Sequence, residues 1–76
     1  MRMYRIYEEG FAATGESGGA IYVGTGYGDT FLDACKDFIE RTGYGEIRTG
    51  RDGTEYACNW GCQWFPSLAE AQQSFG

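Results

Sequence analysis

Three cysteines, 11 carboxylates and a glycine-rich run are the groups in this 76-residue chain that could do chemistry, and histidine is absent. Without histidine the commonest general base and metal ligand near neutral pH is missing. Cys58-Asn59-Trp60-Gly61-Cys62 invites a metal or redox reading. On an unbroken strand the two sulfurs would stand about 13 Å apart, too far to share a zinc ion or a disulfide. A three-residue turn over Asn59-Trp60-Gly61 would instead face them toward each other. Even then Cys35 adds only a third soft ligand where a structural zinc takes four. An odd cysteine count fits reduced thiols packed as small apolar groups. No metal, cofactor or catalytic residue is expected.

Val23-Gly24-Thr25-Gly26-Tyr27-Gly28-Asp29-Thr30 runs from a strand into a helix, the setting in which glycine-rich turns hold phosphate. Its spacing is Gly-x-Gly-x-Gly rather than Gly-x-Gly-x-x-Gly, and no Lys-Ser/Thr follows. Asp29 would also repel a phosphate. The expectation is a flexible strand-to-helix connection.

The carboxylates fall into groups. Glu8, Glu9 and Glu16 lie at a bend and a turn, while Asp33, Asp37 and Glu40 line one helix face. On exposed faces such groups are solvated charge, or a display that meets Arg and Lys on a partner by imitating a phosphate backbone. Net charge is −5 and the pI about 4.4, which argues against direct nucleic-acid binding. A partner-binding set of Glu8, Glu9, Asp33, Asp37, Glu40 and Trp60 follows, the indole being a side chain enriched in binding hot spots. Along an unbroken strand Cys58, Trp60, Cys62 and Trp64 would share a side, most simply a core face, although a bulge at Gly61 would change that register.

The elements that must position these residues are legible from periodicity. Met3–Tyr7 alternates as a strand and breaks at Glu8-Glu9-Gly10. It resumes over Phe11–Thr14, turns at Gly15–Gly19 and returns over Ala20–Val23, a first hairpin. Thr30 with Asp33 opens a helix whose apolar face is Phe31, Leu32, Cys35, Phe38 and Ile39. Asp37 can pair with Arg41, and Gly43 stops the helix. Glu46–Thr49, a turn at Gly50-Arg51-Asp52-Gly53 and a strand from Thr54 onward form a second hairpin. Pro66 ends it, and Ser67 with Glu70 caps a short helix carrying Leu68, Ala71 and Phe75 on one face. The reading is one α+β domain over 1–76, in β-β-α-β-β-α order, an antiparallel sheet with helices packed on one face. Aromatic residues make up 17 % of the chain, enough bulk to fill the thin core of a small domain. No run approaches the ~20 apolar residues of a membrane span. The segment MRMYRIYEEG has no signal-peptide core, so a cytoplasmic protein is expected.

Glu9-Gly10-Phe11-Ala12-Ala13-Thr14-Gly15-Glu16-Ser17-Gly18-Gly19-Ala20, Trp60-Gly61-Cys62-Gln63-Trp64-Phe65 and Glu70-Ala71-Gln72-Gln73-Ser74-Phe75-Gly76 together resemble short phage- and prophage-encoded accessory proteins. The resemblance covers about a third of the chain and brings no catalytic residue with it. It implies a bacterial-host setting and a protein that binds host machinery, as anti-CRISPR and other anti-defence inhibitors do. The expected function is a non-enzymatic inhibitor of a host nucleic-acid-handling protein. The alternatives are an oligomeric nucleotide sponge with Gly24–Gly28 at a shared pocket, and a structural or assembly role.

Overall fold

Alternating residues in β1 (Arg2–Glu8) place Tyr4, Ile6 and Glu8 on one face and Met3, Arg5 and Tyr7 on the other. The computed structural model describes residues 1–10 and 19–75. The expected strand over 11–14 and nearly all of the turn at 15–19 therefore lie outside the described residues. The returning strand, β2, runs over Ile21–Gly28 and pairs antiparallel with β1, with a register shift between Ile6 and Tyr7. It is followed by α1 (Phe31–Thr42), β3 (Glu46–Thr49), β4 (Glu55–Asn59), β5 (Cys62–Phe65) and α2 (Leu68–Phe75). All strand pairs are antiparallel and the five-stranded sheet has the order β2-β1-β5-β4-β3. The α+β expectation holds, with one strand more than foreseen.

The extra strand arises at Trp60 and Gly61. Both have positive φ, 55° and 80°, and they form a two-residue turn between paired Asn59 and Cys62. Positive φ at both turn positions is the type I′ geometry whose twist matches two antiparallel strands. A single long strand from Thr54 is thereby split in two, and the four-residue stripe expected on one face is broken.

The glycine run is corrected as well. Gly24, Gly26 and Gly28 are not a flexible connection; they are alternate residues of β2, facing α1. A Cβ on Gly24 would stand 2.5 Å from the Phe38 ring, and one on Gly28 would stand 2.6 Å from the Asp33 Cβ. A Cβ on Gly26 would overlap the Ala34 carbonyl. The bare strand face lets the helix backbone settle directly onto the sheet.

Helix α1 starts and stops as its sequence requires. Thr30 Oγ1 accepts the Asp33 N–H at 3.1 Å, and Gly43 takes the left-handed conformation at φ 73°. Its apolar face meets a core of Ile6, Cys35, Phe38, Ala57 and Trp64, flanked by Val23, Phe31, Ile39 and Ile47. Phe38 and Trp64 meet edge to face at 5.6 Å, an arrangement worth about 1 kcal/mol beyond area burial. Ser67 Oγ accepts the Glu70 N–H at 3.2 Å and donates to Glu70 Oε2 at 2.8 Å, so Ser67 caps α2 and is held by Glu70. Helix α2 lies along β5 and β1.

Candidate interaction site

The six candidate residues separate into three environments. Glu8 and Glu9, expected on a solvated bend, are buried at 6 % and 7 % exposure. Burying a carboxylate costs several kcal/mol unless donors surround it, and here donors do. Glu8 Oε1 accepts the Trp64 indole N–H at 3.1 Å and the Tyr44 hydroxyl at 3.4 Å. Glu9 Oε2 accepts the Gln63 backbone N–H at 2.8 Å, and the Ser74 hydroxyl donates to Glu9 Oε1. The Glu9 N–H donates in turn to the Gln63 carbonyl at 3.0 Å.

These bonds sit at a short seam of the sheet. Strands β1 and β5 pair only through Tyr7 with Phe65 and Glu8 with Trp64, and this short seam joins the β1–β2 ladder to the β3–β4–β5 ladder. Past it, the Glu9 carboxylate takes the place of a strand carbonyl toward Gln63 and ties in α2 through Ser74. Tyr44, carried between Gly43 and Gly45, stacks on Trp64 with centroids 6.0 Å apart. Burial and the neighbouring Glu8 charge both push the Tyr44 hydroxyl pKa up. The two glutamates clasp the halves of the molecule together and do not face a partner.

Asp37 is also engaged. It bonds Arg41 Nη2 at 3.1 Å and accepts the Tyr27 backbone N–H at 3.0 Å. Asp33 and Glu40 are exposed, in the first and last turns of α1. They are seven residues apart, so the two carboxylates stand about 10 Å from each other along one face of the helix, two turns apart with the engaged Asp37 between them.

Trp60 stands apart. It is 83 % exposed at the tip of the β4–β5 turn, while Cys62 and Trp64 just beyond it are buried. Its φ of 55° is uncommon for any residue with a Cβ, and more so for a bulky one. Asn or Gly is what a type I′ turn favours there. Neither burial nor turn geometry gives Trp60 a reason to be tryptophan. The turn beneath it is firmly held, through Asn59 paired with Cys62 and Cys58 with Gln63.

The cysteines do not assemble a site. In this register Cys58 shares a face with Gln63 and Cys62 shares the opposite face with Asn59, so the two thiols point to opposite sides of the hairpin. Burial pushes the Cys35 thiol pKa from 9.0 up to about 12. Cys58 and Cys62 are also raised by burial, Cys62 further by the Glu8 and Glu9 charges. All three are neutral thiols near pH 7 and weak nucleophiles. Among the described residues no three His, Cys, Asp or Glu side chains converge to hold a metal ion, and no helix is long and apolar enough to cross a membrane. The glycine run likewise leaves no phosphate cradle, because α1 fills the space over it.

No protein-family model, curated protein or solved structure matches this chain. The candidate site therefore rests on its geometry: an exposed indole at the tip of a paired hairpin. Tyr44 is the structural residue the sequence reading missed. Its setting between two glycines is the one local sign that the backbone there bends to lay the partly exposed ring over Trp64.

Proposed function

We propose that this chain is a non-enzymatic interaction protein of phage type that anchors on a host protein through Trp60 and inhibits it. The observation that carries this reading is the Trp60 turn: a large apolar ring, 83 % exposed, in a backbone conformation that disfavours it. Strained and exposed residues of this kind persist where function requires them, and tryptophan is the side chain most enriched in binding hot spots. The net charge of −5 supports a basic partner, such as a nucleic-acid-handling effector of host defence in the bacterial cytoplasm. Among the described residues nothing engages the Asp33 and Glu40 carboxylates, so they can meet its cations, and they act on association rate more than on affinity. Glu8, Glu9 and Asp37 drop out of the contact set because their carboxylates are committed within the fold.

The test is affinity capture from lysate of a defence-positive bacterial host, with the wild-type chain beside Trp60→Ala and an Asp33→Lys/Glu40→Lys pair. The expected result is one captured protein whose nucleic-acid binding falls when the wild-type chain is added. Trp60→Ala abolishes its capture, and the charge reversals slow association. Undiminished capture by Trp60→Ala removes the anchor, and a captured protein whose nucleic-acid binding is unchanged removes inhibition.

A further inference from the structure

Among the described residues the sheet has two open edges, and they differ. Strand β3 is four residues long and carries the Glu46–Arg48 ion pair at 3.1 Å, so brevity and charge blunt it. Strand β2 is eight residues long, with Ile21, Tyr22 and Tyr27 about half exposed. A long, partly apolar edge of this kind is a template for pairing with another strand.

Two backbone groups of that edge already have partners. The Tyr27 N–H donates to Asp37 Oδ2 at 3.0 Å, and the Thr25 carbonyl accepts Arg41 Nη2 at 2.7 Å. Asp37 and Arg41 are themselves bonded through Arg41 Nε at 3.1 Å. The chain of contacts therefore runs from the Thr25 carbonyl through Arg41 and Asp37 to the Tyr27 N–H. Those are the acceptor and donor that an added antiparallel strand would use. The glycines of β2 make this reach possible: with Gly26 flush against Ala34, the next two turns of α1 carry Asp37 and Arg41 down beside the strand.

We infer that the Asp37–Arg41 pair is a guard on the β2 edge, blocking a latent interaction surface that would otherwise accept the β2 strand of a second copy of this chain. A second copy is the natural occupant because it brings an identical eight-residue edge at the protein's own concentration, forming a two-fold pair. This role is independent of Trp60, which lies on the β4–β5 turn, away from the β2 edge.

Light scattering across a concentration series tests the guard, using wild type and Asp37→Ala/Arg41→Ala, with circular dichroism to confirm folding. Wild type is expected to stay at monomer mass while the double variant rises to twice that mass. Adding Thr25→Pro to the double variant removes an outward N–H of β2 without touching the β1 ladder, and restores the monomer. A folded double variant that stays monomeric overturns the guard, as does a dimer that survives Thr25→Pro. Should the double variant not fold, amide exchange of Tyr27 in the wild-type chain decides. The guard predicts exchange at least ~10-fold slower than an unstructured peptide, and exchange at the unstructured rate refutes it.

Discussion

Glu8 and Trp60 break the same rule in opposite directions. One is a carboxylate at 6 % exposure, and the other is an indole at 83 %. The difference lies in what surrounds them. Glu8 receives the Trp64 N–H and the Tyr44 hydroxyl, and its neighbour Glu9 receives Gln63 and Ser74. Every part of that violation is compensated inside the molecule, and the compensation closes the β1–β5 seam. Trp60 has no such return: its ring is in water and its backbone is left-handed. A compensated anomaly belongs to the fold, and the uncompensated one is what the proposed partner anchor rests on.

The largest effect is expected at Glu8. Glu8→Ala leaves a buried indole N–H without an acceptor across the short β1–β5 seam and is expected to cost about 3 kcal/mol in denaturant unfolding. Glu8→Gln keeps an acceptor oxygen and is expected to cost under about 1 kcal/mol more than wild type. If both variants were as stable as wild type, the clasp would have no energetic content. Glu9→Ala is next, at about 2 kcal/mol, because the Gln63 N–H loses its acceptor while the Glu9 backbone bond to Gln63 persists.

Cys35 sharpens the contrast by pH. Its buried thiol keeps its proton to about pH 12, whereas the exposed thiol of the unfolded chain releases it near 9.0. Between those values unfolding releases a proton, so stability falls as pH rises, by up to about 1.4 kcal/mol per unit. Below that window the contribution is constant. The difference between wild type and Cys35→Ala across alkaline pH isolates it: the wild-type curve should fall more steeply, and parallel curves would contradict the burial.

Trp60→Asn carries the smallest stability effect and the opposite sign. Asn suits the left-handed first position of a type I′ turn, so a gain of about 0.5 kcal/mol is expected in the same unfolding assay. A loss of that size or more would mean that the indole serves the fold after all.

Much of this architecture was legible because it is local. The Thr30 cap, the Gly43 stop, the Asp37–Arg41 pair and the Ser67 cap each involve residues within four positions of one another or single backbone requirements, and all form. The β3–β4 hairpin appears with its Asp52-Gly53 turn for the same reason. What escaped is set by distant partners. Nothing near Glu8 in sequence announces Trp64, 56 residues away, and nothing near Glu9 announces Ser74, 65 residues away. The glycine run was read as a loop because its meaning depends on a helix landing on it. Its period of two was nevertheless the signature of one strand face. Of the six candidate residues, Trp60 was chosen for its chemistry alone, and the turn beneath it explains why that chemistry stands outside the core.

On the proposed function, Trp60 serves a partner and not the fold. The most direct measurement is the affinity of Trp60→Asn for the captured host protein, by titration calorimetry beside wild type. A hot-spot anchor predicts a loss of about 2 kcal/mol or more, roughly 30-fold in Kd, in a variant at least as stable as wild type. An affinity within about threefold of wild type, under 1 kcal/mol, would contradict it.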